Sequence, residues 1–356
     1  MLYHTAFYIH HHGSGHLMRA LAIATKINGA ITFLGSDLHS YSSLIPTHIA
    51  CIHLPADIPT KEDQFYSSGS DAPALHYAPL NVAGLRDRAA ILSRFFATNY
   101  PLLLVVDVSV EIALFARLCG VPTVIVRQHG LRNDTAHLNA YQSALLLIAP
   151  YSRNLQSGAP EWVDEKTVFA GGFSRFPLSE ELNEETFSTE VAVMAGRGGT
   201  SLDITFVHFL ALACPDFRFH VLGIADDGLQ VPENVILYGP IDDPSQVLKE
   251  CAIIIGNAGH NTVMEAASLQ KRFICVPENR PFSEQEHKAS SLATALGTTV
   301  ILPELLYQTK WNNVLHHVLN ILPNWGNTIN PDALQTIADT IEQLAATLFT
   351  NSEPAD

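Results

Sequence analysis

Two short stretches place glycine between an apolar run and a helical one: Gly13-Ser14-Gly15 followed by His16, and "AGRGGTSLDITF" over 195–206. Glycine there lets the backbone approach a ligand closely, and the free N–H groups of a helix start attract anions. The guest that suits such a loop is a phosphate, or a substrate whose charge develops during reaction. Neither loop is a Walker A motif, because no Lys-Ser/Thr pair closes it, and the first has only Gly13 and Gly15 of a GxGxxG pattern. A tight strand-to-helix turn also needs glycine, so either loop taken alone is compatible with a plain turn. A third junction, "IIIGNAGHNTVMEAASLQ" (253–270), is more specific: Gly256 ends an apolar run and Gly259 opens a helical one. Glu265 falls about one and a half turns into that helix, where a carboxylate can accept two hydrogen bonds from a vicinal diol such as a ribose. Glu284 and Gln285 follow the next apolar run, within "PENRPFSEQEHKA" (277–289). Asp107 ends "LLLVVD" and His129 follows "PTVIVRQ". Asp107 either orients a catalytic group or binds an acceptor, or it caps the helix that follows; His129 is an acceptor contact or a satisfied loop histidine.

These residues need a scaffold that delivers them to one place. Apolar runs at 3–9, 30–35, 48–54, 102–107, 122–128 and 144–149 read as buried strands, with helical patterns at 16–28, 83–98 and 109–119. The pattern restarts after a polar, turn-rich stretch, with strands at 191–196, 217–223, 234–239, 251–257, 272–277 and 298–303. Helices fit at 201–213, 259–269 and 284–296. Near-continuous apolar strands alternating with helices predict parallel sheets covered on both faces. The expected fold is α/β, two doubly wound Rossmann-like domains facing a central cleft. The divisions are 1–170, a hinge at 171–190, a second domain at 191–330, and a C-terminal helix and tail at 331–356 that pack back toward the first domain. Open α/β sheets bind ligands beyond the carboxyl ends of their strands, which is where all the residues above fall. The segment 56–79 is too long for an ordinary connection and is expected to be functional or mobile.

Composition narrows the classes. With 47% hydrophobic and only 15% charged residues, the chain of 356 residues can bury two cores. A net charge of −15 argues against nucleic acid or an anionic membrane surface as a generic partner. Five single cysteines without a CxxC pair read as reduced, buried thiols. Three adjacent histidines (His10, His11, His12) on an extended segment point to alternate faces and do not converge on one metal. No apolar run is long enough to span a bilayer and no signal peptide is evident, so a cytoplasmic protein is expected. The stretch 81–96 mixes arginines with apolar residues and reads as a buried amphipathic helix rather than a membrane anchor.

The segments "GSGHLMRALAIA", "KTVFAGGFSR", "AVMAGRGGTSL" and "IIGNAGHNTVMEAASLQKRFICVP" occur in the order found in GT-B glycosyltransferases, and the chain most resembles their MurG-type family. The likeness is weak in the first domain and good over about 166–297. It implies the GT-B architecture, with an acceptor-binding first domain and a nucleotide-sugar-binding second. By motif, Gly198, Gly199, Thr200 and Ser201 would line the diphosphate loop, Ile241 would sit against uracil and Glu265 would hold the ribose. Asn257, Gly259, His260, Asn261 and Thr262 belong to the same donor motif, with Glu284 and Gln285 nearby. Arg175 and Arg197 would neutralise the leaving diphosphate. His16 would be the general base, with Asp107 behind it, while Gly13, Ser14, Gly15 and His129 would meet the acceptor. On the residues alone, His16 also fits a turn-capping role. The chain departs from the family at Asn257 (arginine there), at Lys288 (asparagine) and at Arg127-Gln128-His129 (Glu-Gln-Asn). The resemblance therefore implies an inverting, metal-independent hexosyltransferase with a nucleotide sugar, most readily a UDP-sugar, as co-substrate and no resident cofactor. Its acceptor would be a small molecule or a lipid-linked one, the latter bringing the protein peripherally to a membrane's inner face. A nucleotide-sugar hydrolase or epimerase, and a non-catalytic nucleotide-sugar-binding subunit, are the alternatives.

Overall fold

The computed structural model describes residues 3–10, 15–69, 72–156, 158–179, 188–196, 199–225 and 228–349. The first half begins with β1 (His4–Ile9), α1 (Gly15–Ala24), β2 (Ala30–Gly35) and β3 (Ala50–His53). It continues through α2 (Ala83–Thr98), β4 (Leu102–Asp107), α3 (Val110–Leu118) and β5 (Thr123–Val126). α4 (Thr135–Ser143), β6 (Leu146–Ala149), α5 (Glu161–Glu165) and β7 (Thr167–Phe169) complete it. The second half opens with β8 (Glu190–Met194), α6 (Ile204–Ala213), β9 (Arg218–Leu222), β10 (Val235–Gly239) and α7 (Ser245–Glu250). Then come β11 (Ile253–Gly256), α8 (His260–Ser268), β12 (Arg272–Cys275), α9 (Glu284–Leu296) and β13 (Thr299–Val300). α10 (Trp311–Leu319) and α11 (Ala333–Phe349) close the chain.

The strands form two parallel sheets, of seven strands in the order β3-β2-β1-β4-β5-β6-β7 and of six in the order β10-β9-β8-β11-β12-β13. This is an arrangement of two doubly wound α/β domains. Strand periodicity explains the layering. Leu103 and Val105 of β4 enter one core with Phe7 and Phe33, whereas Leu104 and Val106 enter the opposite core with Ala6 and Leu34. The second sheet divides its side chains in the same way, Ile253 and Ile255 to one side and Ile254 to the other.

The last helix does not pack on the sheet that precedes it. Ile337, Ala338 and Ile341 of α11 are buried in the core beneath α1, among Leu17, Ala20 and Leu21 of the first half. Where the chain crosses between halves, the outgoing and returning segments are tied together. Gly172 N donates to Thr328 O at 2.8 Å, and Asn330 N donates to Gly172 O at 2.8 Å. A Cβ on Gly172 would lie 2.5 Å from the backbone oxygen of Thr328, so this crossing demands glycine.

Three expectations need correction. Cys119, at the end of α3, is exposed and Cys51 half-buried, so only Cys214, Cys251 and Cys275 fit the buried-thiol reading. The strand expected at 298–303 is only two residues long, because Pro303 starts a short 3-10 turn. The polar helix α4 and the short α7 and α10 were not anticipated. Within the segment 56–79, the N–H groups of His76 and Tyr77 donate to Glu111 Oε1 at 2.5 and 2.8 Å. Among the described residues, no helix is long and apolar enough to cross a membrane.

Candidate active site

In each sheet the strand order reverses once, between β1 and β4 in the first and between β8 and β11 in the second. At such a switch point the two following loops part in opposite directions and leave a crevice at the carboxyl edge. α1 and Asp107 flank the first crevice; the loops after β8 and β11 flank the second. The two edges meet: a Cβ on Gly15 would lie 3.8 Å from Asn261 Nδ2 across the seam.

At the first edge His16 Nδ1 donates to Asp107 Oδ2 at 3.0 Å, which leaves Nε2 with its lone pair. Arg19, one turn along α1, also grips Asp107, with Nε 3.0 Å and Nη2 2.9 Å from Oδ2. Sequence reading did not single out Arg19. Burial alone would raise the Asp107 pKa, but Arg19 and His16 outweigh it and hold the carboxyl well below the usual range. Asp107 is thus an ionised, doubly paired group. Its backbone position at the end of β4 fits the orienting role, and no side-chain cap of α3 involves it.

At the second edge Glu265 is 5% exposed, and its carboxylate accepts from Arg175 Nε at 2.9 Å. Burial raises the Glu265 pKa, with Arg175 opposing. Arg175 Nη1 also reaches Asp242 O at 2.6 Å, next to Ile241, which is partly buried against the core below. Asn257 turns its Oδ1 to Gly259 N at 2.8 Å, and a Cβ on Gly196 would fall 2.5 Å from Asn257 Nδ2. The glycine junctions after β8 and β11 therefore touch through Asn257. Gln285 Oε1 accepts from both Ala258 N (3.2 Å) and Glu278 N (2.9 Å), so its carbonyl braces two loops, and only its amide N–H groups are left for a ligand.

Glu278 is a second group the sequence reading missed. Its Oε1 accepts from Ser201 N at 2.6 Å, Ser201 Oγ at 2.9 Å and Thr200 Oγ1 at 3.0 Å. The donors expected to face a diphosphate are met here by a buried carboxylate of the chain itself. Arg280 Nη2 holds the same loop through Gly199 O at 2.6 Å. Gly13, Ser14, Arg197 and Gly198 lie outside the described residues, as do His11 and His12.

The seam itself is built around Phe282. Its carbonyl accepts from Leu131 N at 2.8 Å, and its ring centroid lies 4.8 Å from His76, 4.7 Å from His137 and 4.9 Å from Arg132 Cζ. Phe282 and Ser283 have φ of 60° and 49°, a left-handed pair without glycine that the interdomain contacts hold. Gly130 faces this turn, where a Cβ would stand 2.7 Å from Phe282 O. Arg132 pairs with Glu284 Oε2 at 3.4 Å, which turns Glu284 toward the first domain. His129, expected at the acceptor, is buried beside the Tyr151 ring at 4.0 Å. Burial lowers the pKa of both His129 and His260, with nearby Lys288 adding to it. Among the described residues, no group of three or more His, Cys, Asp or Glu side chains forms a metal site.

Residues 223–343 match the glycosyltransferase family 28 C-terminal domain. No curated protein matches the sequence. Among solved structures, Acinetobacter baumannii MurG superposes with a TM-score of 0.64 at 14% identity, over 96% of this chain and all of that one. CalG4, the calicheamicin glycosyltransferase, gives 0.65 at 14% identity over 99% and 100%. Spinosyn rhamnosyltransferase SpnG, complexed with thymidine diphosphate, gives 0.62 at 16% identity over 98% and 99%. The fold is therefore that of GT-B glycosyltransferases.

Proposed function

We propose that this protein is an inverting glycosyltransferase that moves a hexose from a nucleotide sugar, with uridine the favoured base, to an acceptor hydroxyl. The observation that carries the reading is the His16–Asp107 pair, held at one switch point and facing the donor motif at the other. As the acceptor oxygen bonds to the anomeric carbon, its proton passes to His16 Nε2. The bond from that carbon to the phosphate oxygen breaks, and the diphosphate departs with the electron pair. Asp107 stabilises the imidazolium that forms, and Arg19 keeps Asp107 ionised and in place. The diphosphate charge would be met by the N-terminus of α8 with Asn261 and Thr262, and by Arg175 once it leaves Glu265 to the ribose. The glycosyltransferase family 28 domain and the TDP complex of the SpnG structure support a nucleotide-linked donor.

The test is release of nucleoside diphosphate from a panel of sugar nucleotides, with and without a library of hydroxyl acceptors, by wild type and His16→Ala. A general base contributes roughly 10²–10⁴ in rate, so His16→Ala should lose that factor while donor affinity stays the same. Equal rates in the two proteins would remove His16 from the chemistry. Release as fast without acceptor as with it would make the protein a hydrolase.

A further inference from the structure

Lys288 is 1% exposed and lies on α9 at the seam, one turn beyond Glu284 and Gln285. Among the described residues it has no hydrogen bond and no ion pair. The acids nearest this region are already committed: Glu284 to Arg132, and Asp107 to Arg19 and His16. Around Lys288 stand further nitrogen groups. His129 comes from the loop after β5 and His260 from the first turn of α8, and the Nε2 of each is buried without a hydrogen-bond partner. Arg19 and Arg132 close the set from the first domain, and Cys275 lies beneath as a neutral thiol. A buried ammonium whose nearest acid, Glu284, is shared with Arg132 is costly, and two buried imidazole nitrogens without partners add to that cost. A neutral sugar and a neutral alcohol would leave the charge uncompensated.

On the reading that this is a nucleotide-sugar site, we propose that Lys288, His129 and His260 form a receptacle for one anionic group, a carboxylate or phosphoryl, carried by the sugar or the acceptor and distinct from the nucleotide's diphosphate. One such anion supplies Lys288 with its missing counter-charge and accepts from both imidazoles, which the first and second domains contribute separately. Burial pushes the Lys288 ammonium down to about 8, with Glu284 opposing, as expected of a cation awaiting its partner.

The experiment is calorimetric titration of wild type, Lys288→Gln and Lys288→Arg with UDP, UDP-glucose and UDP-glucuronate, followed by acetate and inorganic phosphate on the UDP-loaded proteins. A charge-assisted contact of this kind contributes about 10- to 100-fold in affinity. If the sugar carries the anion, UDP-glucuronate binds wild type more tightly than UDP-glucose by that factor. The preference should vanish in Lys288→Gln and persist in Lys288→Arg, while UDP binds all three alike. If the acceptor carries it, the two sugars bind equally, and acetate or phosphate binds UDP-loaded wild type but not UDP-loaded Lys288→Gln. Binding of UDP with no anion preference in either arm, or UDP affinity itself lost in Lys288→Gln, would overturn the receptacle and leave the nucleotide site standing. Failure of UDP to bind wild type at all would overturn the nucleotide-sugar reading, and the receptacle with it.

Discussion

The two switch points are built alike and finished differently. At the first, His16, Arg19 and Asp107 satisfy one another, and His16 keeps only its Nε2 uncommitted. At the second, the residues matching a nucleotide site are occupied by the chain's own charges: Glu278 sits on the Thr200–Ser201 loop and Arg175 on Glu265. On the proposed reading the first edge is organised before any ligand arrives, whereas the second exchanges internal partners for external ones. A base needs a fixed tautomer and direction, which a buried carboxylate supplies. A site that must admit and release a highly charged nucleotide gains from internal pairs that satisfy its groups between turnovers.

This contrast breaks most sharply at Asp107. Replacing it with alanine leaves the buried Arg19 guanidinium without a partner, a change that typically costs about 3–5 kcal/mol. Asp107→Ala should therefore lower the thermal midpoint strongly as well as abolish turnover, whereas His16→Ala, which removes one hydrogen bond from Asp107 but leaves it paired with Arg19, should lower the midpoint much less. Comparable midpoints for the two variants would mean that Arg19 and Asp107 are not the mutually dependent pair described. At the second edge the sign reverses. Glu278→Gln removes a carboxylate from the place expected for a diphosphate and keeps an oxygen acceptor for Ser201, so nucleotide affinity should rise by roughly three- to tenfold. Weaker binding would show that Glu278 shapes the loop for the nucleotide instead of standing in for it.

The smallest effect is on pH. Burial pushes the His137 imidazole down to about 4, and His129 and His260 are lowered as well. These groups are neutral in the folded protein but take up protons in the unfolded chain below about pH 6.5. The unfolded state then binds more protons, so stability holds above pH 6.5 and declines as pH falls from there toward 4. Thermal midpoints measured across that window should drop steadily, and His137→Phe should flatten the decline. A flat profile in the wild type would contradict the burial of these histidines at the seam.

Most strands were legible because fully buried parallel strands leave near-continuous apolar runs; β7, three residues long, was not. "LLLVVD" and "IIIG" each end at the residue that matters, Asp107 and Gly256. Glu265 was legible from its distance to Gly259 along one helix. Partners brought together from afar left no such trace. Asp107 meets α1 across 91 residues, Glu278 meets Ser201 across 77 and Arg132 meets Glu284 across 152. Arg19 looked like one more residue on an amphipathic helix, although lying one turn beyond His16 on the same face was a usable signal. Glu278 was equally within reach, since it lies just beyond β12 at the carboxyl edge of the sheet. Phe282 was not, because nothing in "NRPFSE" announces a left-handed turn held by the opposite domain.

The most direct test of the account is titration of the wild type and Glu265→Ala with uridine, thymidine and guanosine diphosphates. The account predicts that one diphosphate, uridine foremost, binds the wild type and loses at least tenfold in affinity in Glu265→Ala, with its 2′,3′-dideoxy form insensitive to the substitution. A wild type that binds none of them, or a Glu265→Ala protein that binds as well as wild type, would contradict a donor site at the carboxyl edge of the second sheet.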